Sequence, residues 1–240
     1  MSRVAAIIPA AGLGTRMGAE LPKQFLELDG LPIVIFTLRR LAASAAITDF
    51  FISTRADDIV FLQDKVGKAG IGRPARVIHG GDTRQQSVAN ALAQVDPTTE
   101  IVLVHDAVRP FVTPEQIDRV IAEARTRGAA ILGIPAIDTV KEVKRSSLPA
   151  DVALISATIP RERIVLAQTP QAFSYSLLRD AFRAAQQDDV TASDESALVE
   201  RFGHEVFVVL GSERNLKITR PADMDLARFY LEDERRKKSI

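Results

Sequence analysis

The 240-residue sequence has no cysteine, only three histidines and no excess of either charge, with 31 Lys plus Arg against 31 Asp plus Glu. Each shortage excludes a class of chemistry. Without thiols there is no disulfide framework, no thiolate nucleophile and no Cys-ligated zinc, and three histidines leave little for a zinc site of another kind. A chain free of cysteine also suits a reducing, cytoplasmic setting. A formal net charge of zero provides no global positive field to hold DNA or RNA, so any phosphate chemistry must draw on local charge. No apolar run approaches the roughly 20 residues needed to cross a bilayer. The first apolar stretch is cut off by Pro9 and Gly12, too early for the core of an export signal. The expectation is a protein with neither a nucleic-acid nor a membrane partner. There is no internal repeat, low-complexity tract or linker, so residues 1–240 read as a single domain.

A hydrophobic content of 46% is enough for a full core. Short apolar, β-rich runs recur at Val4–Ile8, Phe50–Ser53, Arg76–Ile78, Ile101–Val104, Ala130–Ile134 and Val206–Leu210. Helical patterns lie between and beyond them, at Ile33–Ala43, Asp57–Ala69, Gln85–Gln94, Glu115–Arg127, Ser176–Gln186 and Asp223–Arg235. Asp82 or Thr83, and Thr113-Pro114, stand where helix caps belong. Strands alternating with helices predict a Rossmann-like α/β fold, a mostly parallel sheet with helices on both faces. One segment breaks the rhythm. Thr139–Lys144 alternates, Arg145–Asp151 is turn-rich, and Val152–Ala157 resumes a strand pattern. An isolated hairpin is marginal without another surface, so a protruding dimerisation arm is expected over about residues 138–168.

The first strand runs into Pro9-Ala10-Ala11-Gly12-Leu13-Gly14-Thr15-Arg16-Met17-Gly18, followed by Pro22-Lys23-Gln24-Phe25. Small residues let backbone N–H groups approach a ligand closely, and successive N–H groups form an anion-binding concavity. The spacing of Gly12, Gly14 and Gly18 is one residue longer than the dinucleotide fingerprint, and no P-loop is present. Arg16 and Lys23 would supply positive charge. A structural turn remains the alternative reading of the glycines alone.

Three further clusters end predicted strands or open predicted helices. Gly80-Gly81-Asp82-Thr83-Arg84 precedes Ser87 on the first turn of a helix; capping explains Asp82 or Thr83 but not the paired glycines beside Arg84. His105-Asp106-Ala107-Val108-Arg109 follows the most apolar strand and puts a carboxylate at the sheet edge, where a hard cation with phosphate ligands needs one. Neighbouring side chains on a strand end diverge, so His105 reads as a buried structural residue rather than half of a catalytic dyad. Ser193-Asp194-Glu195 reads equally as a helix cap; for Lys217 a strand lysine facing water is the lesser alternative.

Pro-Ala-Ala-Gly-x-Gly-x-Arg-Met-Gly followed by Pro-Lys-Gln-Phe resembles the signature of nucleotidyltransferases that activate sugar phosphates. Ala10-Ala11-Gly12, with Lys23-Gln24 after Pro22, is similar to the 2-C-methyl-D-erythritol 4-phosphate cytidylyltransferase family, and matching motifs run in order from residue 4 to about 226. The resemblance implies transfer of CMP from CTP to the alcohol phosphate in the non-mevalonate route to isoprenoids. It also implies Mg²⁺ on Asp106 and a homodimer. Arg16, Lys23 and Lys217 become the catalytic cations. Ala10, Ala11, Gly12, Gly14, Thr15, Gly80, Gly81, Asp82, Ser87 and Ala107 become nucleotide contacts. Arg109, Thr169 and Ser193 fall to the alcohol phosphate, joined by Thr139 and Arg161 from the partner's arm. The family usually has Thr where this chain has Ser193.

Rival readings make different demands. A ribitol 5-phosphate enzyme shares several motifs but tends to read Ala-Gly-Gly at 10–12. An NAD-dependent oxidoreductase gives Lys23 no role. A nucleotide sensor would bind CTP without releasing pyrophosphate.

Overall fold

The structure, a computed structural model, describes residues 3–12, 21–144, 149 and 151–238. Its strands are β1 (Val4–Pro9), β2 (Glu27–Leu28), β3 (Leu31–Pro32), β4 (Asp49–Thr54), β5 (Ala75–His79), β6 (Ile101–Val104), β7 (Ala129–Pro135), β8 (Val140–Lys144), β9 (Leu154–Ile159), β10 (Val165–Ser174) and β11 (Phe207–Leu210). The α-helices are α1 (Ile33–Ala42), α2 (Ile59–Lys68), α3 (Arg84–Leu92), α4 (Pro114–Arg127), α5 (Tyr175–Gln187), α6 (Glu195–Arg201) and α7 (Pro221–Lys238). Seven strands form one sheet in the order β11-β7-β10-β6-β1-β4-β5. All its neighbours are parallel except β10, which runs antiparallel between β6 and β7.

Alternation along the buried strands explains the layers. On β1, Val4, Ala6 and Ile8 face a cluster built with α1, α2 and α4, while Ala5 and Ile7 face one built with α3, α5 and α6. A third cluster seats α7 through Met224, Ala227 and Leu231 against Val108, Phe111 and Ile218. Among the described residues no helix is long and apolar enough to cross a membrane.

Every predicted strand and helix is present, with ends displaced by a few residues; the Asp57 end is a 3-10 turn over Ala56–Asp58 that precedes α2. Two features differ from expectation. The arm is shorter: β8 and β9 pair with each other in a separate two-stranded sheet, whereas Val165, Leu166 and Ala167 already pair with β7 in the main sheet. Gln168 follows them within β10, so the chain has rejoined the main sheet before residue 168, and burial begins at Gln168. The antiparallel β10 itself was not predicted, because Pro170 and the flanking glutamines break its alternation. The irregularity in its pairing with β7 falls between Ala167 and Gln171, where a proline can be accommodated. The small β2–β3 hairpin was also missed, although Asp29 and Gly30, both at positive φ, carry the Asp-Gly turn signal.

Candidate active site

Because β1, β4, β5 and β6 are parallel, the loops that follow them emerge at one edge of the sheet. The loop after β1 lies against the one after β5. Ala10 N–H donates to Ser53 O at 2.7 Å, Gly80 N–H donates to Thr54 O at 2.7 Å, and Gln24 Nε2 donates to Ala10 O at 2.7 Å. The cleft they frame is lined by Ala10, Ala11, Gly12, Lys23, Gly81, Asp82, Thr83, Arg84, Ser87, Asp106, Ala107 and Lys217, with Pro9, Gln24 and Val108. Gly14, Thr15 and Arg16 lie outside the described residues.

Both glycines of the second loop are required by close approach. A Cβ on Gly80 would stand 3.0 Å from Ala11 Cβ and from Ser87 Oγ, and one on Gly81 would stand 2.4 Å from Gln86 Cβ. Thr83, not Asp82, caps α3: its hydroxyl accepts from Gln86 N–H while the Gln86 side chain accepts from Thr83 N–H. Ser87 is buried, and its hydroxyl accepts from Gly81 N–H at 3.1 Å and donates to Thr83 O at 2.9 Å. It shapes the loop from beneath.

Asp106 is the charged centre of the cleft. The residue is 6% exposed, and Lys217 Nζ stands 2.9 Å from Oδ2, Arg109 Nε 3.2 Å from Oδ2 and Arg84 Nε 3.5 Å from Oδ1. Burial alone would raise its carboxyl pKa, but the charges of Lys217, Arg84 and Arg109 outweigh burial and hold it well below the usual carboxylate range. Lys217 belongs to no strand. Its segment is docked by Ile218 N–H on Val108 O, by Arg109 Nη1 donating to Asn215 O at 2.7 Å, and by Asn215 Nδ2 donating to Thr169 O at 2.8 Å.

Arg84 was missed as a site residue. It projects from the first turn of α3, lines the cleft, and is held by Glu195, whose Oε1 accepts from Nη1 at 2.8 Å. Burial opposes the charge on Arg84, and the Glu195 and Asp106 carboxylates more than offset it. Burial pushes the Glu195 carboxyl up, with Arg84 opposing. The signal in the sequence was a cation at a helix N-terminus, where the dipole disfavours one.

The expected alcohol-phosphate residues fall in separate places: Arg109 and Thr169 around Asp106, Thr139 and Arg161 on the arm, and Ser193 before α6. Arg109 is buried behind Asp106, and the Thr169 hydroxyl accepts from Asp106 N–H at 3.0 Å. Thr139 and Arg161 are exposed on the arm, where Arg161 Nη1 donates to Ile137 O at 2.6 Å. Ser193 is exposed in the turn before α6, and the helix is capped by Asp194, which accepts from Ala197 N–H. His105 is fully buried, and burial drops its pKa to about 4, so the ring is neutral.

Among the described residues no three His, Cys, Asp or Glu side chains cluster as a protein-only metal site. The cleft carries the carboxylates Asp82 and Asp106. That donor set fits a hard divalent cation of the Mg²⁺ type, which takes one or two carboxylates and completes its shell with substrate phosphates and water.

The profile of the 2-C-methyl-D-erythritol 4-phosphate cytidylyltransferase family matches residues 4–233. Enzymes of that name from Acidobacterium capsulatum and Solibacter usitatus are 52% identical over 235 residues and 46% identical over 245, spanning 95% and 99% of this chain and 97% and 99% of theirs. Among solved structures, 4-diphosphocytidyl-2C-methyl-D-erythritol synthase from Anaerococcus prevotii superposes with a TM-score of 0.82 at 30% identity, over 96% of this chain and 99% of that one. The 2-C-methyl-D-erythritol 4-phosphate cytidylyltransferase of Thermus thermophilus gives 0.75 at 33%, over 95% and 98%. With its two glycine loops and its lysine-flanked aspartate at one sheet edge, the chain belongs to the 2-C-methyl-D-erythritol 4-phosphate cytidylyltransferase family.

Proposed function

We infer that CTP enters the cleft between the loop after β1 and the loop after β5, with its phosphates directed toward Lys23, Asp106 and Lys217. The protein is a cytidylyltransferase that converts 2-C-methyl-D-erythritol 4-phosphate and CTP into the cytidine diphosphate adduct and pyrophosphate, in isoprenoid biosynthesis. The observation that supports this use of the cleft is the convergence of Lys23, Lys217 and Asp106 on one concavity, although they come from three distant parts of the sequence. Relatives bearing the methylerythritol name favour that substrate over ribitol 5-phosphate.

In the reaction an oxygen of the alcohol's phosphate bonds to the α-phosphorus of CTP, and the bond from that phosphorus to the α–β bridging oxygen breaks. Pyrophosphate leaves with the bonding electrons. The attacking phosphate is already anionic at neutral pH and needs no general base, so the protein's contribution is alignment and charge stabilisation. Ala11, Gly12, Gly81 and Asp82 line the space that receives the nucleotide, while Ala10, Gly80 and Ser87, whose polar groups are bonded within the protein, shape it from beneath. Lys23 faces the nucleotide's triphosphate, to which the family resemblance also assigns Arg16, and Lys217 faces the phosphates between which charge shifts. Asp106, with Asp82 at the rim, would hold Mg²⁺, which when bound neutralises phosphate oxygens and favours departure of pyrophosphate.

The arm leaves Ile137, Val143, Val152, Leu154 and Ile155 exposed, a concentration of apolar surface that suits a partner protomer. In that dimer Thr139 and Arg161 would complete the partner's alcohol-phosphate pocket together with its Arg109, Thr169 and Ser193 positions, which accounts for their place on the arm, away from Asp106. The enzyme would work in the cytoplasm, where CTP is drawn upon.

Pyrophosphate release with CTP, ATP, GTP and UTP, each against methylerythritol phosphate and ribitol 5-phosphate, tests the reading. Release is expected with CTP and methylerythritol phosphate alone. Release with neither alcohol phosphate would overturn it.

A further inference from the structure

His105 is fully buried and is absent from the lining of the cleft, so it cannot exchange a proton with a bound substrate. Both ring nitrogens are nonetheless committed. Nε2 is 3.0 Å from the Arg109 carbonyl, and Nδ1 is 3.1 Å from Thr169 Oγ1. A carbonyl can only accept, so Nε2 carries a proton; an imidazole with a single proton then presents a lone pair at Nδ1. The Thr169 hydroxyl must then donate to Nδ1, and its oxygen is left to accept the Asp106 N–H at 3.0 Å. With one proton on the ring, this single assignment satisfies all four groups.

We propose that His105 is a positioning residue for cytidylyl transfer, fixing Asp106 through this directed chain from Asp106 N–H to the Thr169 hydroxyl, to the ring, to the Arg109 carbonyl. The inference rests on the reading of Asp106 as the working carboxylate of the cleft. Both ends of the chain lie on the turn that carries that carboxylate, since Arg109 N–H itself closes onto Asp106 O at 3.1 Å. The ring thus clamps the turn after β6 to β10, the strand bearing Thr169. An apolar side chain of similar size would fill the space but leave the Thr169 O–H donor and the Arg109 carbonyl without their partner on the ring.

Two measurements test this. In the unsubstituted protein, nitrogen-detected NMR of the imidazoles should show His105 as the Nε2–H tautomer with Nδ1 accepting. In kinetics, His105→Leu should lower kcat by about 10–100-fold while KM for CTP moves far less, the behaviour of a group that orients a site from behind. His105→Asn, which restores an acceptor near the Nδ1 position, should recover most of the lost kcat, whereas a purely space-filling role would favour Leu over Asn. An Nδ1–H or doubly protonated ring at neutral pH would overturn the proposal, as would a folded His105→Leu enzyme with full kcat. If His105→Leu does not fold, the tautomer and the Asn variant decide. Lack of turnover by the unsubstituted protein would instead count against cytidylyl transfer, while the tautomer still reports on the chain of hydrogen bonds.

Discussion

Lys217 reaches Asp106 from the far end of the chain, and its side chain remains partly exposed while that of the aspartate it meets is almost wholly enclosed. That asymmetry fits a cation able to serve phosphate as well as protein. If Lys23 and Lys217 act chiefly on charge that develops during attack, replacing either by Ala should lower kcat by about 10²–10³ in steady-state assays. Near-native turnover in either variant would remove that residue from the mechanism. Lys23, Asp106 and Lys217 were legible because their neighbours in sequence are diagnostic. Arg84 showed only as a cation at a helix N-terminus and Gln24 only within a motif, because what fixes each is a contact across the fold: Arg84 with Glu195, and the Gln24 amide with the Ala10 carbonyl. Such pairings leave no local pattern.

The elements repeat this division. Helices and parallel strands follow hydrophobic period closely, and α1, α4 and β6 were readable to within a residue or so. The arm was legible as a hairpin, but its base was not, since Val165–Gln168 looks equally suited to a hairpin or to the sheet it joins. An arm that serves the partner's pocket makes a distinctive prediction. Inactive Lys23→Ala and Arg161→Ala subunits, mixed and allowed to exchange, should regain part of the parental activity, because one mixed site keeps both residues intact. Absence of recovery despite exchange proven by mass would place Arg161 in the service of its own chain, where it already holds the Ile137 carbonyl.

At the scale of the whole molecule, burying a neutral histidine beside Asp106, Arg109 and Lys217 ties stability to pH. The folded pKa of about 4 lies below the ordinary 6.5, so below pH 6.5 the unfolded chain binds a proton that the folded one refuses. Stability from this source is complete above pH 6.5 and declines as pH falls toward 4, by about 3 kcal/mol in all. The depressed Asp106 carboxyl adds a loss of the same sign, beginning near its ordinary 3.8. Chemical denaturation between pH 7 and 4.5 should show a shallower decline for His105→Asn than for the parent; parallel curves would assign the dependence to other groups.

The antiparallel strand has a consequence for how the chain comes together. β7 has only β10 and β11 as neighbours, and both are made after it. During synthesis, β1, β4, β5 and β6 can pair as soon as they emerge, whereas β7 must wait until residues 165–174 slot in beside it. The same event delivers Thr169 to Asp106. Four of the seven strands can therefore assemble before the other three, and the catalytic edge matures only when those arrive, so a nascent chain halted before residue 165 would display the nucleotide loops with Asp106 not yet anchored.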